Sequence, residues 1–193
     1  IKIGRGLDLP ISGTPEQTIT DAPECRTVAV VGDDYHGMKP TMDVQVGDKV
    51  KLGQLLFTDK KTEGVRYTSP ASGTVSAINR GARRVLQSVV IDVEGDAAES
   101  FTQYQASALN ELTDEQVREN LVGSGLWTAL RTRPYSKVPA IDGTANSVFV
   151  TAMDTNPLTV DPKIVIAENS DDFVNGLTVL SKLTSGSVYV CHA

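Results

Sequence analysis

From Val44 to Phe57 the chain reads V-Q-V-G-D-K-V-K-L-G-Q-L-L-F, with apolar and polar positions alternating in runs too short to make a helix face. Met42, Val44 and Val46 predict one short strand, and Val50 with Leu52 a second. Gly47-Asp48 between them is a dipeptide that turns a chain tightly. Gly53-Gln54 predicts a corner, Leu55 to Phe57 a third strand and Val65 to Thr68 a fourth. Pro70 and Gly73 bound a turn before a strand over Thr74 to Ile78. Val28 to Val31 supplies an earlier strand, and Val85 to Val93 a closing one before Gly95-Asp96. The pattern up to about residue 100 is therefore that of a small, sharply cornered β domain.

The ends of this pattern read differently. Residues 1 to 24 are broken by Gly4, Gly6, Pro10, Gly13, Pro15 and Pro23, which predicts an extended segment with Leu7, Leu9 and Ile11 turned inward. After residue 100 the period lengthens: Thr113 with Gln116 forms a capping-box signature, and Val117, Leu121 and Val122 mark a helical face that Gly123 and Gly125 stop. Ser147 to Ala152 and Ser187 to Cys191 are nearly continuous apolar runs, the pattern of parallel strands buried on both faces. Between them, Asp161-Pro162 opens a short helix, and Ser170 is placed to cap a longer one with Phe173, Leu177, Leu180 and Leu183 on one side. Asp154 to Pro157 falls at the C-terminal end of the first run, where open α/β sheets hold their ligands. The division expected is residues 1–100, an extended segment plus the β domain, and residues 101–193, part of an α/β layer. A parallel strand closing the sequence, with no crossover after it, suggests a piece of a longer polypeptide.

Composition narrows the function classes. The net charge of −6 argues against a nucleic-acid partner, because phosphate binding needs a basic footprint. No run approaches the ~18 apolar residues of a bilayer span, so membrane association is expected only through a partner or a surface. Ile1-Lys2-Ile3 begins on sequence of folded character, from which no secretory signal is expected. Cys25 and Cys191 are far apart and form no metal-ligand spacing; Cys191-His192 reads more simply as a thiol closing a strand than as a ligand pair. His36 and His192 have no evident catalytic partners, and no stretch offers a nucleophile, base and orienter together. Residues 101 to 193 contain six Lys/Arg against ten Asp/Glu, so Arg131, Arg133 and Lys137 form a concentrated basic loop in an acidic half.

Val44, Gly47, Asp48, Val50, Gly53, Gln54, Leu55, Ser69, Pro70, Gly73 and Val75, in that order, resemble the biotinyl/lipoyl domain, a flattened barrel-sandwich of two small sheets. Carrier members of that family modify a lysine at the tip of the hairpin. Here the hairpin reads Thr58-Asp59-Lys60-Lys61-Thr62-Glu63-Gly64, in which Asp59-Lys60 sits closer to Gly53 than the family's pattern and lacks its Ala. A solvated charged turn is the expectation, with a swinging arm on Lys60 or Lys61 the alternative.

Longer motifs carry a second resemblance. I-K-I-G-R-G-L-D-L-P-I-S-G-T-P, S-P-A-S-G-T-V-S-A-I-N-R-G, R-V-L-Q-S-V-V-I, S-G-L-W-T-A-L-R-T-R-P-Y-S-K-V-P-A and A-M-D-T-N-P-L are similar to the NqrA family of the sodium-translocating NADH:quinone oxidoreductase. The resemblance covers the whole chain. It implies a peripheral component on the cytoplasmic face of the bacterial inner membrane, in a complex of six subunits that passes electrons from NADH to ubiquinone and pumps sodium. The implied partners are the other subunits, chiefly the membrane protein NqrB, together with ubiquinone. FAD, FMN, riboflavin and iron-sulfur groups would belong to the other subunits.

The second half is also distantly similar to the flavin-binding subunit of respiratory complex I and to RnfC of the Rnf complex. In those relatives a glycine-rich loop lets backbone N–H groups approach the FMN phosphate. Here Gly125 is followed by Leu126-Trp127-Thr128-Ala129-Leu130-Arg131-Thr132-Arg133-Pro134, whose bulk and proline predict a chain without its own redox cofactor. The resemblance points to two loops for partner or quinone contact. Tyr35 and His36 belong to the first; in the second, Trp127 and Tyr135 are expected to stack on a ring, and Arg131, Arg133 and Lys137 to bond its carbonyls or acidic partners. An FMN-binding dehydrogenase domain remains the alternative of a different class.

Overall fold

Alternation of small and apolar residues, punctuated by glycines, makes antiparallel strands over most of the first half. A computed structural model describes residues 11–192 of the chain. Seven strands fall in its first part: β1 (Thr27–Val31), β2 (Pro40–Met42), β3 (Lys49–Val50), β4 (Leu55–Asp59), β5 (Arg66–Thr68), β6 (Gly73–Arg80) and β7 (Leu86–Val93). One sheet runs β1-β7-β6-β3 and the other β2-β4-β5, with every pairing antiparallel. Phe57, Leu56, Val65, Val75, Val89 and Ile91 are completely buried, and Val50, Tyr67 and Leu86 nearly so. Burying each such side chain favours folding by about 1.5–3 kcal/mol, which makes this cluster the main source of the unit's stability. The two-sheet sandwich expected of a barrel-sandwich is present.

Corner chemistry accounts for the shape. At Gly47, φ is 95°, and the N–H of Asp48 donates to the carbonyl of Gln45 at 3.2 Å. The same turn is closed a second time, since the Asp48 carboxylate accepts the N–H of Gln45 at 2.9 Å. Gly73 lies where an added Cβ would strike the carbonyl oxygen of Asp92, so the S-P-A-S-G corner admits no larger residue without moving β7. The first strand ends earlier than the alternation suggests. Met42 closes β2, while Val44 and Val46 lie in the connection and Val46 is 58% exposed, because the Gln45–Asp48 turn takes the backbone out of the ladder.

Residues 23–144 form one compact unit, so the segment following the barrel packs with it. In that segment α1 (Asp114–Ser124) starts at a complete capping box: Thr113 Oγ1 accepts the N–H of Gln116, and Gln116 Oε1 accepts the N–H of Thr113. Gly125 ends it in the left-handed conformation, and Leu126–Ala129 make a turn of 3-10 helix. Arg118 ties the segment together. Its guanidinium bonds Asp114 at 2.8 Å, donates to the carbonyls of Ile141 and Gly143, and lies 5.5 Å from the Trp127 ring centre.

Among the described residues, the other unit comprises 11–22 and 145–192. Its strands β8 (Val148–Thr151) and β9 (Val188–Cys191) pair in parallel, as the apolar runs predict, and α2 (Pro162–Glu168) and α3 (Ser170–Ser181) connect them. Asp161 caps α2 by accepting the N–H of Lys163. Three expectations change here. Asn169, not Ser170, is the residue flanking α3, and it makes no side-chain cap. The β8–β9 sheet is not buried on both faces: alternate residues of β8 are exposed, as are Tyr189 and Val190 of β9, and Phe149 and Tyr189 stack on each other at 5.0 Å with 66% and 50% exposure. Ile11 is 50% exposed and does not face inward; Leu7 and Leu9 lie outside the described residues.

Candidate functional site

The loop after β1 begins with a 3-10 turn over Gly32–Asp34, and the tip of the β4–β5 hairpin comes up beside it. Two contacts hold them together. Lys60 donates its N–H to the carbonyl of Lys39 at 2.8 Å, and Asp59 Oδ1 accepts the N–H groups of Lys39 and Lys61 at 2.8 and 2.9 Å. A third segment arrives from about a hundred residues later: Thr132 and Ser136 close the basic loop into a tight turn through Thr132 N–H to Lys137 O and Ser136 N–H to Thr132 O. These three segments enclose a cavity of about 330 Å³, lined by Tyr35, His36, Met38, Asp59, Lys61, Tyr67, Lys137 and Val138 among others.

Aromatic packing fixes the cavity floor. Tyr67 stacks on buried Phe57 at 4.6 Å and meets the edge of Tyr35 at 4.7 Å, while the Arg131 guanidinium lies 5.2 Å from the Tyr35 ring centre. Arg131 is further held by the carbonyls of Thr128, Leu130 and Asp34. Burial pushes the Tyr67 hydroxyl far above the usual phenol range, with the charge of Asp59 adding to the shift and Arg131 opposing it. Tyr67 is therefore a neutral O–H group at any physiological pH.

Of the residues singled out in the sequence, Tyr35, His36 and Lys137 meet at this cavity and Arg131 braces it. Arg133 and Tyr135 sit on the exposed turn, Tyr135 at 72% exposure. Trp127 is different. It is 2% exposed, donates its indole N–H to the carbonyl of Pro139 at 2.9 Å, and has no open face for a ring to stack on. Sequence reasoning missed Asp59 and Tyr67 as cavity groups. Their signal was present in the alternation, because Asp59 lies two residues after buried Phe57 on the same face of β4, and Phe57 pairs with Tyr67.

The turn after α1 has a construction of its own. Gly125 has φ 83°, and an added Cβ would run into the Thr68 side chain of β5, whose hydroxyl donates to Ser124 O at 3.0 Å. Backbone N–H groups of Gly125, Thr128 and Leu130 bond the carbonyls of Val122, Gly125 and Trp127. At the end of β8, Asp154 accepts from the N–H and side-chain amide of Asn156 and from Thr159, which closes the loop on itself. The Asn156 N–H foremost, then Thr159, holds the Asp154 carboxyl below its usual range. Among the described residues no group of three or more His, Cys, Asp or Glu side chains is placed to hold a metal ion.

Comparison with known proteins places these features in one lineage. Residues 1–94 match the family described as the NqrA N-terminal barrel-sandwich hybrid domain, and residues 112–193 the one described as the NqrA second alpha/beta domain. The chain is 68% identical over all of its 193 residues to the NqrA component of the Na(+)-translocating NADH-quinone reductase from Saccharophagus degradans. It is 66% identical over the same length to the protein of the same name from Teredinibacter turnerae, and 66% identical over 191 residues to that from Hahella chejuensis. In each case it spans 43% of the relative's length.

Proposed function

The chain belongs to the NqrA family of the Na(+)-translocating NADH-quinone reductase, and from that premise we propose that it is a docking and quinone-side scaffold without a redox group of its own. Its place is peripheral, on the cytoplasmic face of the bacterial inner membrane, held by the other subunits and chiefly by the membrane protein NqrB. No helix among the described residues is long and apolar enough to cross a membrane, which is consistent with attachment through partners.

The observation that carries the quinone reading is the cavity. It brings Tyr35 and His36 within one wall and Lys137 into another, across a gap in sequence of about a hundred residues. Its volume of about 330 Å³ lies at the lower end of small-ligand pockets, and its lining mixes the rings of Tyr35 and Tyr67, Met38 and Val138 with His36, Asp59, Lys61 and Lys137. Tyr35 contributes ring surface to the lining, and His36, Lys61 and Lys137 offer donors to carbonyl oxygens.

Two observations support a chain without flavin. In the turn that would cradle a phosphate the N–H groups of Gly125, Thr128 and Leu130 are engaged by nearby carbonyls, and the Trp127 side chain is buried. The carrier alternative needs a group attached to exposed Lys60 or Lys61, and an intact mass equal to the sequence mass would rule it out.

Replacing Arg131 and Lys137 together by alanine in the assembled complex tests the reading. The KM for quinone is expected to rise about tenfold, the effect of losing charge-assisted bonds, with NADH oxidation by an artificial acceptor unchanged. An unaltered KM with normal assembly would remove this cavity from the quinone path.

A further inference from the structure

The cavity contains a hydrogen-bonding atom that the protein leaves unused. Asp59 is only 6% exposed, and both backbone N–H groups it accepts go to Oδ1. Among the described residues Oδ2 has no partner. The one fully enclosed side-chain polar atom without a partner among those residues is Nε of Arg66, so Oδ2 keeps some exposed surface, and Asp59 is one of the residues that line the cavity. A carboxylate that is mostly buried but keeps one oxygen accessible is placed to accept a hydrogen bond from whatever donor occupies the cavity. Lys61 and Lys137 line the same cavity and repel a cationic occupant, which leaves a neutral hydroxyl as the donor that fits.

We propose that Asp59 makes this cavity selective for the reduced, hydroquinone form, its Oδ2 accepting the hydrogen bond of a ring hydroxyl. The inference rests on the quinone reading above. An oxidised quinone has two carbonyl acceptors and no donor, so against Asp59 an acceptor meets an acceptor in a partly desolvated space. The hydroquinone replaces one carbonyl by an O–H that Oδ2 accepts. His36 and Lys137 donate to the other ring oxygen in either state, and so affect affinity without affecting the preference. Tyr67, kept neutral, adds no second negative charge to compete with Asp59 for the hydroxyl.

Calorimetric titration of the full-length protein under argon, with a water-soluble dimethoxy-methyl-benzoquinone and with the same compound fully reduced, tests the proposal. The hydroquinone is expected to bind about tenfold more tightly, the usual worth of a hydrogen bond to a charged acceptor. Asp59→Asn keeps an oxygen for the Lys39 and Lys61 N–H groups and turns the free acceptor into a donor, so it is expected to abolish or invert the ratio. Equal binding of the two forms by the unaltered protein overturns the proposal while leaving the cavity as a quinone site. A ratio retained in Asp59→Asn also overturns it, and the unaltered protein decides the matter by itself if that variant does not fold. If neither form binds, both the quinone reading and this inference fail.

Discussion

Trp127→Ala is expected to destabilise the unit formed by residues 23–144 by about 3–5 kcal/mol, the range for truncating a buried tryptophan. The indole is 2% exposed, bonds the Pro139 carbonyl, and supports the Arg118 guanidinium, which itself anchors Ile141 and Gly143. Its loss opens a cavity and leaves the Pro139 carbonyl without its donor, so the transfer and hydrogen-bond effects add. Thermal unfolding should show a midpoint lowered by about 10 °C or more. A stacking role toward quinone would give the opposite pattern, with an intact midpoint and a raised KM. Phe at this position should recover much of the packing but not the bond to Pro139.

Gly125→Ala is expected to cost about 2–4 kcal/mol, part from a left-handed backbone that alanine adopts at a penalty of ~1–2 kcal/mol and part from overpacking. Gly125 is where the end of α1 touches the barrel: the new methyl would displace Thr68 and break the bond from its hydroxyl to Ser124. Thr68→Ala removes the two nearest atoms and should rescue a portion of the loss, leaving the backbone penalty. A double-mutant cycle in urea therefore predicts coupling of about 1 kcal/mol or more between the two positions, whereas additivity would place the strain elsewhere. The same result bears on the flavin alternative, since a glycine needed to seat a helix on a strand does not by itself point to a phosphate site.

How much of this was legible in the sequence depends on whether a signal is local. Gly47-Asp48, Gly53-Gln54 and the Ser69–Gly73 corner each dictate backbone shape within four or five residues, and the barrel follows from them. The Thr113/Gln116 box was readable for the same reason, whereas the parallel pairing of β8 with β9 was read from two apolar runs separated by helix-forming sequence. Alternation misled where a turn overrode it, as at Val44 and Val46, and apolar character misled at Phe149 and Tyr189, which pair with each other on an open face. Trp127 and Tyr135 look alike in composition, yet one is core and the other surface, a difference set by Pro139 and Arg118 across the fold. The cavity was half legible. Tyr35, His36 and Lys137 stood out as contact-forming residues in loops, but Asp59 read as part of a hairpin-tip lysine motif, whereas it pairs with Pro40 at the end of β4 and lines the cavity.

Everything proposed for the second half depends on a nucleotide-binding turn having become a packing joint. Flavin released on denaturing the purified full-length protein measures that directly. The expected content is far below one flavin per chain; one FMN per chain, lost on Gly125→Ala, would contradict it.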